Sequence, residues 1–99
     1  MAKGYWIAHV TVTDTDKYPD YVSGARAAFE KYGATFLARG GAWSDCEGEM
    51  GRERHVLIEF PNYQAALDCY NSADYQAAKA HRLDAGVATI VITEGLESA

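Results

Sequence analysis

The chain has 99 residues, is 48% hydrophobic and 12% aromatic, and carries a formal net charge of −5. That size holds one small core, so residues 1–99 are expected to form a single domain. The composition is that of a globule and not of a disordered tract. An acidic balance excludes a general nucleic-acid binder, which needs clustered Lys and Arg to replace counterions on phosphate.

The first apolar run, Tyr5 to Val10, is interrupted by His9. It is far shorter than a secretory core or the roughly 20 residues of a membrane span, so no membrane association is expected. Cys46 and Cys69 stand alone, with neither a CxxC nor a zinc-type His spacing. They read as free thiols of a cytoplasmic protein.

Residues Tyr5 to Val12 alternate as a strand. Trp6, Ala8, Val10 and Val12 form an apolar side, and Tyr5, Ile7, His9 and Thr11 a mixed one. The TDTD run at Thr13 to Asp16 stops it and offers Asp16 as a helix N-cap. Pro19 falls in the first helical turn, where its missing N–H costs nothing. Tyr18, Tyr21, Val22, Ala25, Phe29 and Tyr32 repeat at helical spacing, and Gly33 ends the helix.

A second strand runs from Thr35 to about Arg39 and a third from Arg54 to Phe60, with Val56, Ile58 and Phe60 opposed to His55, Leu57 and Glu59. Between them, Gly40-Gly41 follows a strand and precedes no helix. It is therefore a bend and not a phosphate loop. The bend is expected to aim Arg39 inward and to start an irregular arm, Ala42 to Glu53. Pro61 closes the third strand. Asn62 is a plausible cap for a helix carrying Tyr63, Ala66, Leu67 and Tyr70, and Ser72 caps a further piece to about Leu83. Gly86 resets the chain, and Ala88 to Thr93 alternates as the last strand.

The order β-α-β-β-α-β, with its second helix broken in two, is the ferredoxin-like arrangement. It is an α+β fold with a four-stranded antiparallel sheet and helices on one face. Trp6, Val10, Phe36, Val56, Ile58, Phe60, Ile90 and Ile92 are the natural choice for the covered side. The other side keeps Tyr5, Ile7, Leu37, Leu57 and Val91, too much apolar surface to leave in water. A homodimer with two sheets face to face is therefore expected.

On that mixed side, His9, Arg39, His55 and Glu59 are expected to lie together. Glu59 would orient His9 as a base, and Arg39 would clamp an anionic group. The same residues also read as a satisfied polar cluster inside a dimer interface. No metal set stands out, although His9, His55 and Glu59 could in principle share one. No dinucleotide, nucleophile-elbow or haem-attachment motif is present, so no cofactor is expected.

The stretches YWIAHVTVTD, KYPDY, FLARGG, HVLIEFPNYQAALDCYNSADYQAAKAHR and IVITEG resemble a family of small bacterial proteins, domain-of-unknown-function family 1330. The resemblance spans Tyr5 to Gly95, and RGG, IEFP and YNSADYQAAKAHR together carry it. It implies the dimeric α/β-barrel group, which includes cofactor-independent antibiotic monooxygenases, haem-degrading enzymes, stress-response proteins and lactone isomerases. Enzymes of that group hold flat substrates between sheet and helices. The resemblance therefore implies a second candidate site, lined by Trp6, Tyr21, Tyr70 and Tyr75 with His81 and Arg82. These aromatic residues also read as ordinary core. Trp43 could stack on a ligand from the arm or pack on the partner. The expectation is a homodimer binding a small anionic or aromatic compound, which it could turn over without a cofactor, monooxygenase-like by oxygenation or isomerase-like by proton transfer. The competing expectation is a non-catalytic dimerising module with no substrate.

Overall fold

The computed structural model describes residues 2–97. Four strands and three helices follow in the order β1 (Gly4–Val12), α1 (Tyr18–Lys31), β2 (Thr35–Arg39), β3 (Arg54–Phe60), α2 (Tyr63–Asn71), α3 (Ala73–Leu83) and β4 (Gly86–Glu94). The strands form one antiparallel sheet in the order β2-β3-β1-β4. With its helices on one face, this is the ferredoxin-like fold. Among the described residues no helix is long and apolar enough to cross a membrane.

The local signals act at the helix ends. Asn62 Oδ1 accepts from the Ala65 amide at 2.7 Å and starts α2. Ser72 both ends α2 and begins α3: its hydroxyl donates to the Cys69 carbonyl and accepts from the Tyr75 amide. Gly33, at φ +75°, turns the chain out of α1 while the Ala34 amide reaches back to the Phe29 carbonyl. The cap before α1 is not Asp16. Asp14 holds that turn, its carboxylate accepting from the Asp16 and Lys17 amides. It sits two residues further back because the chain makes a separate turn before Tyr18.

Trp6, Ala8 and Val10 of β1 point under the helices beside Ile58 and Val56 of β3 and Ile92 and Ile90 of β4. Trp6 is the centre of the core. Its ring meets Phe29 edge-on at 5.2 Å and Tyr75 at 5.0 Å, and its indole N–H donates to the Ala66 carbonyl at 2.9 Å. The three groups thus tie β1 to all three helices. The opposite face of the sheet has no helix on it. Leu37, Val87 and Val91 are about half exposed there, at 51%, 50% and 52%.

One irregularity changes the site. Phe36 opposes Ile58, but Ala38, not Leu37, opposes Leu57. Leu37 is the extra residue of a β-bulge, and everything after it is turned over. Arg39 therefore opposes Val56 and lies on the helix side of the sheet, not beside His9.

Candidate functional site

Two groups of polar side chains lie on opposite faces of the sheet. On the open face, His9 and His55 are directly opposed, with their Nδ1 atoms 2.7 Å apart. Burial, followed by the charge of His55, lowers the His9 pKa from its ordinary value. Glu59 is not the partner of His9. The register sets it against Tyr5, four residues along β1, and it accepts that hydroxyl at 3.2 Å. The expected trio of His9, Glu59 and Arg39 is therefore dispersed. His9 has a histidine partner, Glu59 has a tyrosine, and Arg39 lies on the other side. Among the described residues no three His, Cys, Asp or Glu side chains gather as metal ligands. Trp43 reaches back from the arm and sets its ring against His55 at 4.8 Å, so it belongs to this face and not to the cleft.

On the covered face, a cavity of about 260 Å³ opens between α1 and the sheet. It exists because small side chains line it where large ones would fill it. Ala8 and Val10 form its floor, Val22 and Ala25 its roof, and Ala34 and Val56 its side. Trp6 and Phe29 close the inner end with aromatic surface. Polar groups gather at the N-terminal end of α1. Arg82, only 5% exposed, donates from Nη1 to the Tyr75 hydroxyl at 2.8 Å, and its guanidinium lies 5.2 Å over the Tyr21 ring. The Tyr75 and Tyr21 hydroxyls are 2.9 Å apart.

The direction of that last bond follows from satisfaction of the buried groups. Tyr75 is fully buried and its oxygen already accepts from Arg82. Its own proton has one acceptor in reach, the Tyr21 oxygen. Satisfying the buried Tyr75 hydroxyl has it donate to Tyr21, which keeps its own proton for another acceptor. Each link is polarised by the cation behind it. Burial drives the Tyr75 phenol pKa strongly upward, with Tyr21 adding to it and Arg82 opposing, so this proton stays in place. Burial also opposes the Arg82 charge, but the Tyr75 and Tyr21 oxygens outweigh it and the net shift is upward.

Arg54 comes into the same cleft, on the strand position next to Val56 but one. It lies against Tyr18, whose phenol is pushed up by burial and by Tyr21 while Arg54 and Arg82 pull it down. Arg26 and Arg39 also reach the lining, the latter stacked 4.6 Å over Phe36. Glu30 is the one carboxylate among the described lining residues. The Nε atoms of Arg54 and Arg82 are buried without a hydrogen-bond partner.

Of the residues expected in this cleft, Trp6, Tyr21 and Arg82 line it, and Tyr75 stands directly behind them. Tyr70 does not. It lies beyond Tyr75, its ring 5.3 Å away, and accepts from Lys79 beside a separate shallow groove. His81 is exposed, one position along α3 from the buried Arg82 and so on a different side of the helix. Arg54 and Tyr18 also line the cleft, where the sequence placed them only as the start of the third strand and as part of the first helix's apolar stripe. Arg54 shares its parity with Val56, Ile58 and Phe60, and that alternation was the signal.

The sequence profile of a domain of unknown function, DUF1330, matches residues 3–96. The chain belongs to the DUF1330 family. Its fold is similar to that of a protein of unknown function from Rhodopseudomonas palustris, at TM-score 0.78 and 15% identity over 98% of this chain and 85% of that one. It is also similar to SnoaB, a cofactor-independent oxygenase from Streptomyces nogalater, at TM-score 0.65 and 9% identity over 99% and 97%. A dimeric ferredoxin-like protein of unknown function from Thermobifida fusca matches at TM-score 0.53 and 19% identity over 96% and 92%. At these identities the likeness shows the fold. No curated protein matches this DUF1330 chain.

Proposed function

We propose that this DUF1330 protein is a cytoplasmic homodimer that binds a small, flat organic molecule bearing an oxyanion, in the cleft beneath α1. The observation that carries the reading is the chain from Arg82 through Tyr75 to Tyr21, which sets a polarised hydroxyl at the polar corner of a largely apolar cavity. Arg82 and Arg54, which both line the cleft and both act on Tyr18, add positive charge in the same corner. An apolar slot with a few convergent polar groups is the usual form of a ligand site. A carboxylate, phenolate or enolate oxygen is the chemistry these donors fit, and the aromatic end of the slot favours a conjugated ring.

The same donors would hold negative charge on an enolate or phenolate as it forms, which is the demand of cofactor-independent oxygenation of an activated substrate. SnoaB, of similar fold, is such an oxygenase. The open face is where a second copy would pack. Its half-exposed Leu37, Val87 and Val91 lie between rows of polar groups, and two proteins of similar fold are dimeric. One observation favours the reading as a dimerising module alone: His9, His55, Tyr5 and Glu59 all lie on that packing face and bond pairwise there, His9 to His55 and Tyr5 to Glu59.

The test is a thermal-shift screen of aromatic carboxylates, phenols, lactones and haem on the wild type and on Arg82→Gln. A ligand of the cleft raises the melting temperature with concentration in the wild type and does so far less in the variant. A compound that stabilises both equally binds elsewhere, and a screen without response leaves the module reading.

A further inference from the structure

The two central strands set His9 against His55 on the open face, Nδ1 to Nδ1 at 2.7 Å. Their ring centroids are 5.0 Å apart. That is the separation two imidazoles reach when the Nδ1 atoms point straight at each other, the geometry of a short N–H···N bond. At 2.7 Å the two nitrogens leave no room for a metal ion between them. They share a proton. One ring donates and the other accepts, so a neutral pair closes this bond while a doubly protonated pair sets N–H against N–H; the outer nitrogen of His55, Nε2, is buried with no partner in either state.

Little around the pair would offset two charges. Ile7 and Leu57 are its neighbours on one side. Thr89 of β4 opposes His9, and Trp43 covers His55. On the same face Glu59 is bound to Tyr5. The acids of the arm (Asp45, Glu47, Glu49 and Glu53) are exposed, and none of them contributes to the state of His9.

We propose that the His9–His55 pair is an acid-sensitive clasp of the homodimer. With both rings neutral, the face meets a second copy. When both take up protons, the rings separate, the face becomes charged, and the copies part. The proposal rests on the homodimer reading above. Its sign follows from linkage: packing a second copy over the pair withdraws both rings from water, which disfavours their charged forms, so protonation favours the separated copies, and a solvated histidine takes its proton near pH 6.5. Association is therefore at full strength above about pH 6.5. It weakens as pH falls from there towards the lowered value, and levels off below it.

The experiment is sedimentation equilibrium of the full chain between pH 7.5 and 5, with imidazole nitrogen shifts followed by NMR. The dimer dissociation constant is expected to rise over that range. His9→Gln and His55→Gln should each flatten the dependence. If one variant fails to fold, the other and the wild-type NMR titration decide. A wild-type dimer whose constant is unchanged to pH 5 overturns the clasp and leaves the dimer standing. Acid dissociation that persists in a folded glutamine variant also overturns it. A monomer already at pH 7.5 removes the assembly and the clasp together, and is recognised because it precedes any acid.

Discussion

Arg82 and Tyr75 form a buried donor–acceptor pair, the guanidinium giving a proton to a hydroxyl that water does not reach. Arg82 ion-pairs with no carboxylate among the described residues, so Tyr75 is its strongest partner. Tyr75→Phe leaves a buried N–H without an acceptor and should cost about 1–3 kcal/mol, read by urea denaturation. Tyr21→Phe should cost less, because the cleft admits water to the vacated position. It should nevertheless reduce the thermal shift produced by any aromatic acid that Arg82→Gln also fails to bind. Equal stability losses in the two variants would contradict the directed chain of hydroxyls.

Gly40 and Gly41 are predicted to differ sharply despite being adjacent. Gly40 has φ +68°, and the space its Cβ would occupy is taken by the Arg54 guanidinium. Gly40→Ala should therefore lose about 1–2 kcal/mol and displace Arg54 from the cleft. Gly41 has open space around it, so Gly41→Ala should stay within about 0.5 kcal/mol. Paired chemical melts check both.

The two thiols should separate by reactivity. Cys69 is fully buried, and that burial pushes its pKa up to about 12. Cys46 is exposed on the arm. An aromatic disulfide reagent at pH 8 should therefore modify Cys46 alone in the folded chain and reach Cys69 only after denaturant is added. Rapid modification of both in the native protein would contradict the burial of α2 against the sheet.

Asn62 carries the start of α2 by one side-chain bond. Asn62→Ala should cost about 1 kcal/mol, and Asn62→Asp should restore most of it. Thermal unfolding of the three proteins makes the comparison.

The fold was largely legible in the sequence because its signals are local. The bounds of β2 and β3, the caps at Asn62 and Ser72, and the stop at Gly33 each depend on a few adjacent residues. The faces of β1, β3 and β4 were legible from alternation. The site was less so. Side-chain parity puts His9, His55 and Glu59 on one face, but the register that gives His9 to His55 and Glu59 to Tyr5 joins strands more than 40 residues apart, and no local signal sets it. Arg39 was misplaced because the bulge at Leu37 precedes the glycines that seemed to mark the bend. His81 failed by one position on α3, a rotation of about 100° for a helix.

The strand order leaves the two outer strands unequally protected. β2 is short, bulged, and ends at a left-handed glycine, so little of its backbone is free to recruit another chain. β4 runs nine residues without a proline or a break and pairs with β1 on one side only. Its outer row of amides and carbonyls can continue the ladder into a neighbouring molecule. Overexpressed or partly unfolded protein should therefore mis-assemble through β4.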